Sequence, residues 1–189
     1  MHDRMVIVLD FDGTLTDAEA EGIPFREGYF DDLAALTGLD RSAIRALAVD
    51  FEARVAANLA SYGWMYGGRI VAPATVDPYL RMMPVARMLL DHAARFTEER
   101  EREQLLQLLF RYNYPKTATV FRPAAHDVFL GLLAQRADAC YVVTNSDTEP
   151  VQRKIRALAG DERPDLDTWM SGHVVGGARK YVVDDSFTL

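Results

Sequence analysis

Apolar and polar positions along this chain follow two patterns. Met5-Val-Ile-Val-Leu9 is a continuous apolar run with three β-branched residues, and it stops at Asp10-Phe11-Asp12-Gly13. So short a run bounded by a turn signal predicts a strand buried on both faces. Ala139-Cys-Tyr-Val-Val143 is a second such run, and it stops at Thr144-Asn145-Ser146-Asp147. Between the two, apolar residues recur at helical spacing. Ile44, Leu47, Ala48, Phe51, Val55 and Leu59 mark a helix over 41–61, with Asp40 or Ser42 as its cap. Further helices are predicted over 28–38, 78–93 (with Pro84 as a kink or divide), 98–112 and 123–136, the last opening at Pro123.

Residues 18–27 have no steady period and carry Gly22 and Pro24, so they are predicted to be a loop. Tyr62-Gly-Trp-Met-Tyr-Gly-Gly68 breaks the helical pattern. Glu98 to Glu103 is a charge run, read as a solvated helix face with intrahelical pairs. Residues 18–118 therefore read as a helical insertion without a strand, set between two strands of an α/β core.

Composition narrows the class. The chain has 189 residues, 49% hydrophobic and 26% charged, which fits an ordinary globular protein. Its net charge of −7 argues against a general nucleic-acid binder. No apolar run approaches the ~20 residues of a membrane helix, and the Met-His-Asp-Arg start shows no signal peptide, so no membrane association and a cytoplasmic location are expected. Cys140 excludes an internal disulfide and, within an apolar run, reads as a small buried hydrophobe. His2, His92, His126 and His173 share no metal-ligand spacing and read as surface or capping residues.

The chemistry concentrates at Asp10 and Asp12. Strand side chains alternate with period 2, so both carboxylates leave the strand tip on the same side. Gly13 allows a sharp turn there and a close approach to a ligand. Two carboxylates facing one point repel, so a cation is the natural third party, and oxygen ligands suit Mg²⁺.

Asp10-Phe-Asp12-Gly13-Thr14-Leu-Thr-Asp17 resembles motif one of the haloacid dehalogenase-like hydrolase superfamily, Asp-x-Asp-Gly-Thr-Leu-x-Asp, over all eight residues. The resemblance implies a doubly wound, Rossmann-like parallel-sheet core, residues 1–17 and 119–189, with a helical cap domain at 18–118. It implies that Asp10 is the nucleophile forming an aspartyl-phosphate and that Asp12 is the general acid and then base. Gly13 and Thr14 would join the phosphate site. An aspartate at position 12 is similar to the phosphatase and phosphomutase members rather than to those that cleave carbon–halogen bonds. Thr144-Asn145 resembles motif two, whose hydroxyl and amide hold phosphate oxygens. Trp64, Tyr66, Arg69 and Arg81 are cap candidates for substrate contact, or else cap core and surface.

A third-motif lysine is also implied, and the chain has Lys116, Lys154 and Lys180. Lys116 precedes the returning core. Lys154 reads as a solvated helix face. Lys180, after the strand-like run 172–179, is the lysine chosen. Asp184 and Asp185 resemble the acidic fourth motif that completes the metal site, yet Asp184 follows Lys180 by only four residues. Two arrangements answer this. In one, Lys154 is the third motif and Asp184/Asp185 the fourth; in the other, Lys180 is the third and the acids lie past residue 189 in a truncated chain.

The reaction implied is Mg²⁺-dependent hydrolysis of a small phosphate ester. Two alternatives stand beside it: a phosphomutase with the same site, and a non-catalytic fragment that binds a ligand or partner. Receiver domains also combine aspartates and a lysine on such a sheet, but a long helical insertion after the first strand argues against them.

Overall fold

The computed structural model describes residues 5–160, 163 and 165–180. In chain order they form β1 (Ile7–Leu9), α1 (Ala18–Thr37), α2 (Arg41–Ala57), β2 (Gly63–Tyr66), β3 (Arg69–Pro73), α3 (Pro78–His92), α4 (Glu99–Asn113), α5 (Ala125–Arg136), β4 (Cys140–Val143), α6 (Thr148–Ala159), α7 (Leu166–His173) and β5 (Val174–Val175). The chain is mixed α/β and divides into two compact units. Among the described residues, one joins the N-terminal stretch through Ala18 to the chain from Thr119 to Lys180, and the other takes Glu19–Ala118.

The first unit holds a three-stranded sheet in the order β1-β4-β5. Both pairings are parallel, with Ile7 opposite Cys140 and Val142 opposite Val174. The strand sunk in the core is β4, where Cys140 and Val142 are fully buried. β1 departs from its expected burial on both faces. It pairs only with β4 among the described strands, and Val8 on its outer side is 61% exposed. The deep anchor instead lies past its end, at fully buried Phe11. Phe129, Leu133, Val151, Ile155, Trp169 and Met170 share this core, and the Trp169 indole N–H donates to Ala137 O at 2.9 Å. Residues 172–179 are not the extended run their pattern suggested, because Gly172 and His173 close α7 and only Val174–Val175 are strand.

Before α1 and after the return from Ala118, the chain pairs with itself. Thr16 forms an antiparallel bridge with Phe121. Asp17 N–H donates to Val120 O at 2.8 Å, and Arg122 N–H to Leu15 O at 2.9 Å.

The second unit corrects two expectations. Residues 18–27 are the first half of α1, not a loop. An interior glycine costs a helix about 1 kcal/mol and an interior proline about 3 kcal/mol. Burial of Phe25, Tyr29, Phe30 and Leu33 on the same helix outweighs this, at about 1.5–3 kcal/mol for each side chain of that size. Gly28 is a packing site, since a Cβ there would sit 2.1 Å from the buried Asn113 Oδ1. The stretch after α2 also overturns the expectation that residues 18–118 hold no strand. β2 and β3 form an antiparallel hairpin, with Gly67 and Gly68 both at positive φ, as a two-residue hairpin turn requires. Trp64 and Tyr66, each 38% exposed, lie on this hairpin, and Arg81 pairs with Glu19.

α3 runs on through Pro84. The charges of α4 pair with α3 rather than within their own helix: Arg87 bonds Glu99 and Glu103, and Arg102 bonds Asp91. Lys116 Nζ donates to Asn113 Oδ1 at 2.7 Å. No described helix is long and apolar enough to cross a membrane.

Candidate active site

The chain turns directly after β1. Thr14 and Leu15 N–H both donate to Phe11 O, at 3.2 and 2.9 Å. Gly13 takes φ +80°, its N–H donates to Thr16 Oγ1 at 3.1 Å, and its carbonyl accepts from Arg122 Nη2 at 2.9 Å. Gly13 and Thr14 were expected to join a phosphate site, and the backbone N–H groups of both are committed inside the turn. With Phe11 buried between them, Asp10 and Asp12 are left for the rim.

Asp12 is met by the end of β4 and by α6. Ser146 Oγ donates to its Oδ2 at 2.7 Å, and Thr144 Oγ1, nearly fully buried, donates to the same oxygen at 3.3 Å. Lys154 Nζ donates to Oδ1 at 2.8 Å. Lys154 is thus not on a solvated face. It sits three residues after Val151 and one before Ile155, both buried, so the helix turns it toward the core side with them. Burial raises the Asp12 carboxyl, but the Lys154 ammonium and the two hydroxyls outweigh it and hold Asp12 below the ordinary carboxylate range.

Asp10 is met by Lys180, whose Nζ donates to Asp10 Oδ1 at 2.5 Å and to Val143 O at 3.1 Å. The segment carrying Lys180 is fastened to the loop after β4. Ala178 N–H donates to Thr144 O and Gly177 N–H to Ser146 O, both at 2.9 Å. Gly176 N–H donates to Thr148 Oγ1 at 3.1 Å. A Cβ on Gly176 would lie 2.4 Å from Thr148 N and 2.7 Å from Ser146 O, so only glycine fits there. Asn145, expected at a phosphate oxygen, has its Oδ1 on the Lys180 backbone N–H at 2.7 Å.

Each aspartate thus has its own lysine, Lys180 on Asp10 and Lys154 on Asp12. Ser146 is the contributor that motif reading missed, and Lys154, weighed as the third-motif lysine in one arrangement, is otherwise expected on a solvated face; each left a signal of its place. The helix phase of Lys154 relative to Val151 and Ile155 carried that signal; for Ser146 it lay in the spacing of two from Thr144. Asp184 and Asp185 lie outside the described residues, as does His2. His92 packs against Phe51, His126 contacts Asp127, and His173 Nδ1 lies 2.9 Å from Trp169 O. Among the described residues no three His, Cys, Asp or Glu gather as metal ligands.

The donor chemistry still fits Mg²⁺. This ion commonly takes one or two carboxylates and fills its remaining positions with water and substrate phosphate. Asp10 can supply that carboxylate, whereas the Asp12 oxygens are occupied by Lys154, Ser146 and Thr144. Asp10 and Asp12 with Lys180 and Lys154 sum to zero formal charge. No family model matches the chain, and no curated protein matches it.

Proposed function

We propose that this chain is a Mg²⁺-dependent phosphomonoester hydrolase of the haloacid dehalogenase-like type, acting on a small phosphorylated metabolite, with a doubly wound core and a helical cap at 18–118. The observation that carries the reading is the pairing of each aspartate of motif one with its own lysine, Lys180 on Asp10 and Lys154 on Asp12, beside the Thr144 hydroxyl.

An Asp10 carboxylate oxygen attacks phosphorus while the bond from phosphorus to the leaving alkoxide breaks, giving an aspartyl-phosphate. Lys180 offsets the repulsion between an anionic nucleophile and an anionic phosphoryl group. In the contact shown Asp12 is held ionised, so its contact with Lys154 must open and Asp12 take a proton from solvent before it gives that proton to the departing oxygen. Water then attacks the aspartyl-phosphate, Asp12 takes its proton, and the bond from phosphorus to Asp10 breaks to release inorganic phosphate and restore the carboxylate. Thr144 is the hydroxyl donor for an equatorial phosphate oxygen. Mg²⁺ held by Asp10 would neutralise charge on the transferring phosphoryl group.

The test is steady-state hydrolysis of p-nitrophenyl phosphate by the purified chain, with Mg²⁺ and after chelation with EDTA. Turnover should require Mg²⁺, and Asp10→Asn should lower kcat by about a thousandfold or more. An Asp10→Asn chain as active as the wild type overturns the assignment.

A further inference from the structure

We infer that Asn145 is a positioning residue that sets Lys180 against Asp10, and not a phosphate ligand. The inference rests on the hydrolase reading for its consequence and on the geometry around Lys180 for its content.

Lysine carries a compact charge on a long flexible stem, and fixing that stem in one conformation costs about 1.5–2 kcal/mol of rotamer entropy. Where the ammonium settles therefore depends on how firmly the backbone beneath it is held. Arg179, directly before Lys180, has φ +49°, a left-handed conformation that costs a residue with a side chain about 1–2 kcal/mol. The preceding hydrogen bonds, from Gly176, Gly177 and Ala178, end one residue short of this strained position. The bond that resumes after it is the Lys180 N–H on Asn145 Oδ1. Lys180 is then tied at both ends, by its N–H to Asn145 and by its Nζ to Asp10 and Val143 O. Asn145 reaches across 35 positions of sequence to do this. Its contribution is an acceptor oxygen, and its amide hydrogens are not needed for it.

That distinction sets the experiment. Asn145→Ala deletes the acceptor, whereas Asn145→Asp keeps one and loses the amide donor. In the full chain, Asn145→Ala should lower kcat on p-nitrophenyl phosphate by about a hundredfold, because displacing a reacting group's partner by about 1 Å costs that much. Asn145→Asp should restore kcat to within about threefold, since the acceptor that fixes the geometry is back. Backbone amide exchange at Lys180, followed by ¹⁵N NMR, should speed up about tenfold in Asn145→Ala and not in Asn145→Asp.

A phosphate ligand would behave in the opposite way. Asn145→Asp would then be worse than Asn145→Ala through repulsion of the phosphate, KM would rise, and Lys180 exchange would not move. Any of these results overturns the inference, as does kcat at the wild-type level in both variants. A wild-type chain without Mg²⁺-dependent turnover sinks the hydrolase reading instead, and the exchange comparison still decides whether Asn145 holds Lys180.

Discussion

Lys154 holds Asp12, Nζ to Oδ1 at 2.8 Å, from a position on α6 whose neighbours Val151 and Ile155 are buried. An aspartate at a strand tip is thereby tied to the helix after the central strand. Asp10 is tied to a different segment, the one beyond β5, through Lys180. The two carboxylates of one short motif are thus governed by two separate parts of the chain.

Lys154→Met keeps the apolar stem and removes the charge. Among the described residues Asp12 would retain the Ser146 and Thr144 hydroxyls, and kcat should fall by about a hundredfold, the scale of losing one preorganised electrostatic partner. Steady-state kinetics on an aryl phosphate read this directly. Wild-type turnover in Lys154→Met would remove Lys154 from the chemistry and leave it a structural tie.

Asp12 also carries a pH signature. Burial alone would raise its carboxyl, but Lys154 and the two hydroxyls bring it below the ordinary value of 3.8. The folded chain therefore binds this proton less readily than the unfolded chain does. Its stabilising effect is full above the ordinary value and is lost as pH falls through the lower folded one. The difference in thermal midpoint between wild type and Asp12→Asn should be constant near neutrality and change steadily below about pH 4. A difference that stays constant down to the most acid pH at which the chain folds would contradict the ion pair.

Gly176→Ala tests the fastening of the Lys180 segment. The added methyl would meet backbone atoms of Thr148 and Ser146 at 2.4 and 2.7 Å, and neither is the movable end of a side chain. Relief requires the segment to move, at a cost of about 1–3 kcal/mol as for other overpacked sites. Urea unfolding should show a lower midpoint with an unchanged slope. An unchanged midpoint would mean that the two loops are not held as close as described.

How far the sequence discloses this molecule depends on the reach of each signal. The apolar runs at 5–9 and 139–143 lead directly to β1 and β4 and to their place in a mixed α/β fold, because a strand's pattern is local. Val8 is misread because one strand's composition does not say whether a neighbour covers its outer face. Gly22 and Pro24 hide the start of α1, since as local letters they mean a break; the reason for helix lies in Phe25, Tyr29, Phe30 and Leu33 finding a core. Gly67-Gly68 was legible in principle as a hairpin turn between two short apolar stretches. In the candidate site, Asp10, Asp12 and Thr144 are marked by position at strand ends. The role of Asn145 is not, because its partner is a backbone N–H far along the chain and carries no residue identity.

The bridge between Thr16 and Phe121, with its flanking bonds from Asp17 to Val120 and from Arg122 to Leu15, means that the chain departs from the first unit and rejoins it through adjacent backbone. A junction whose two ends already touch is indifferent to the length of what it encloses, because the closure entropy of a loop rises only slowly with its size. The entropy cost of closing residues 19–118 is accordingly met at this bridge, next to the strand pairing of β1 with β4. The pairing of β1 with β4 beneath Asp10 and Asp12 is thus closed off by its own backbone bonds at the point where the chain leaves and returns.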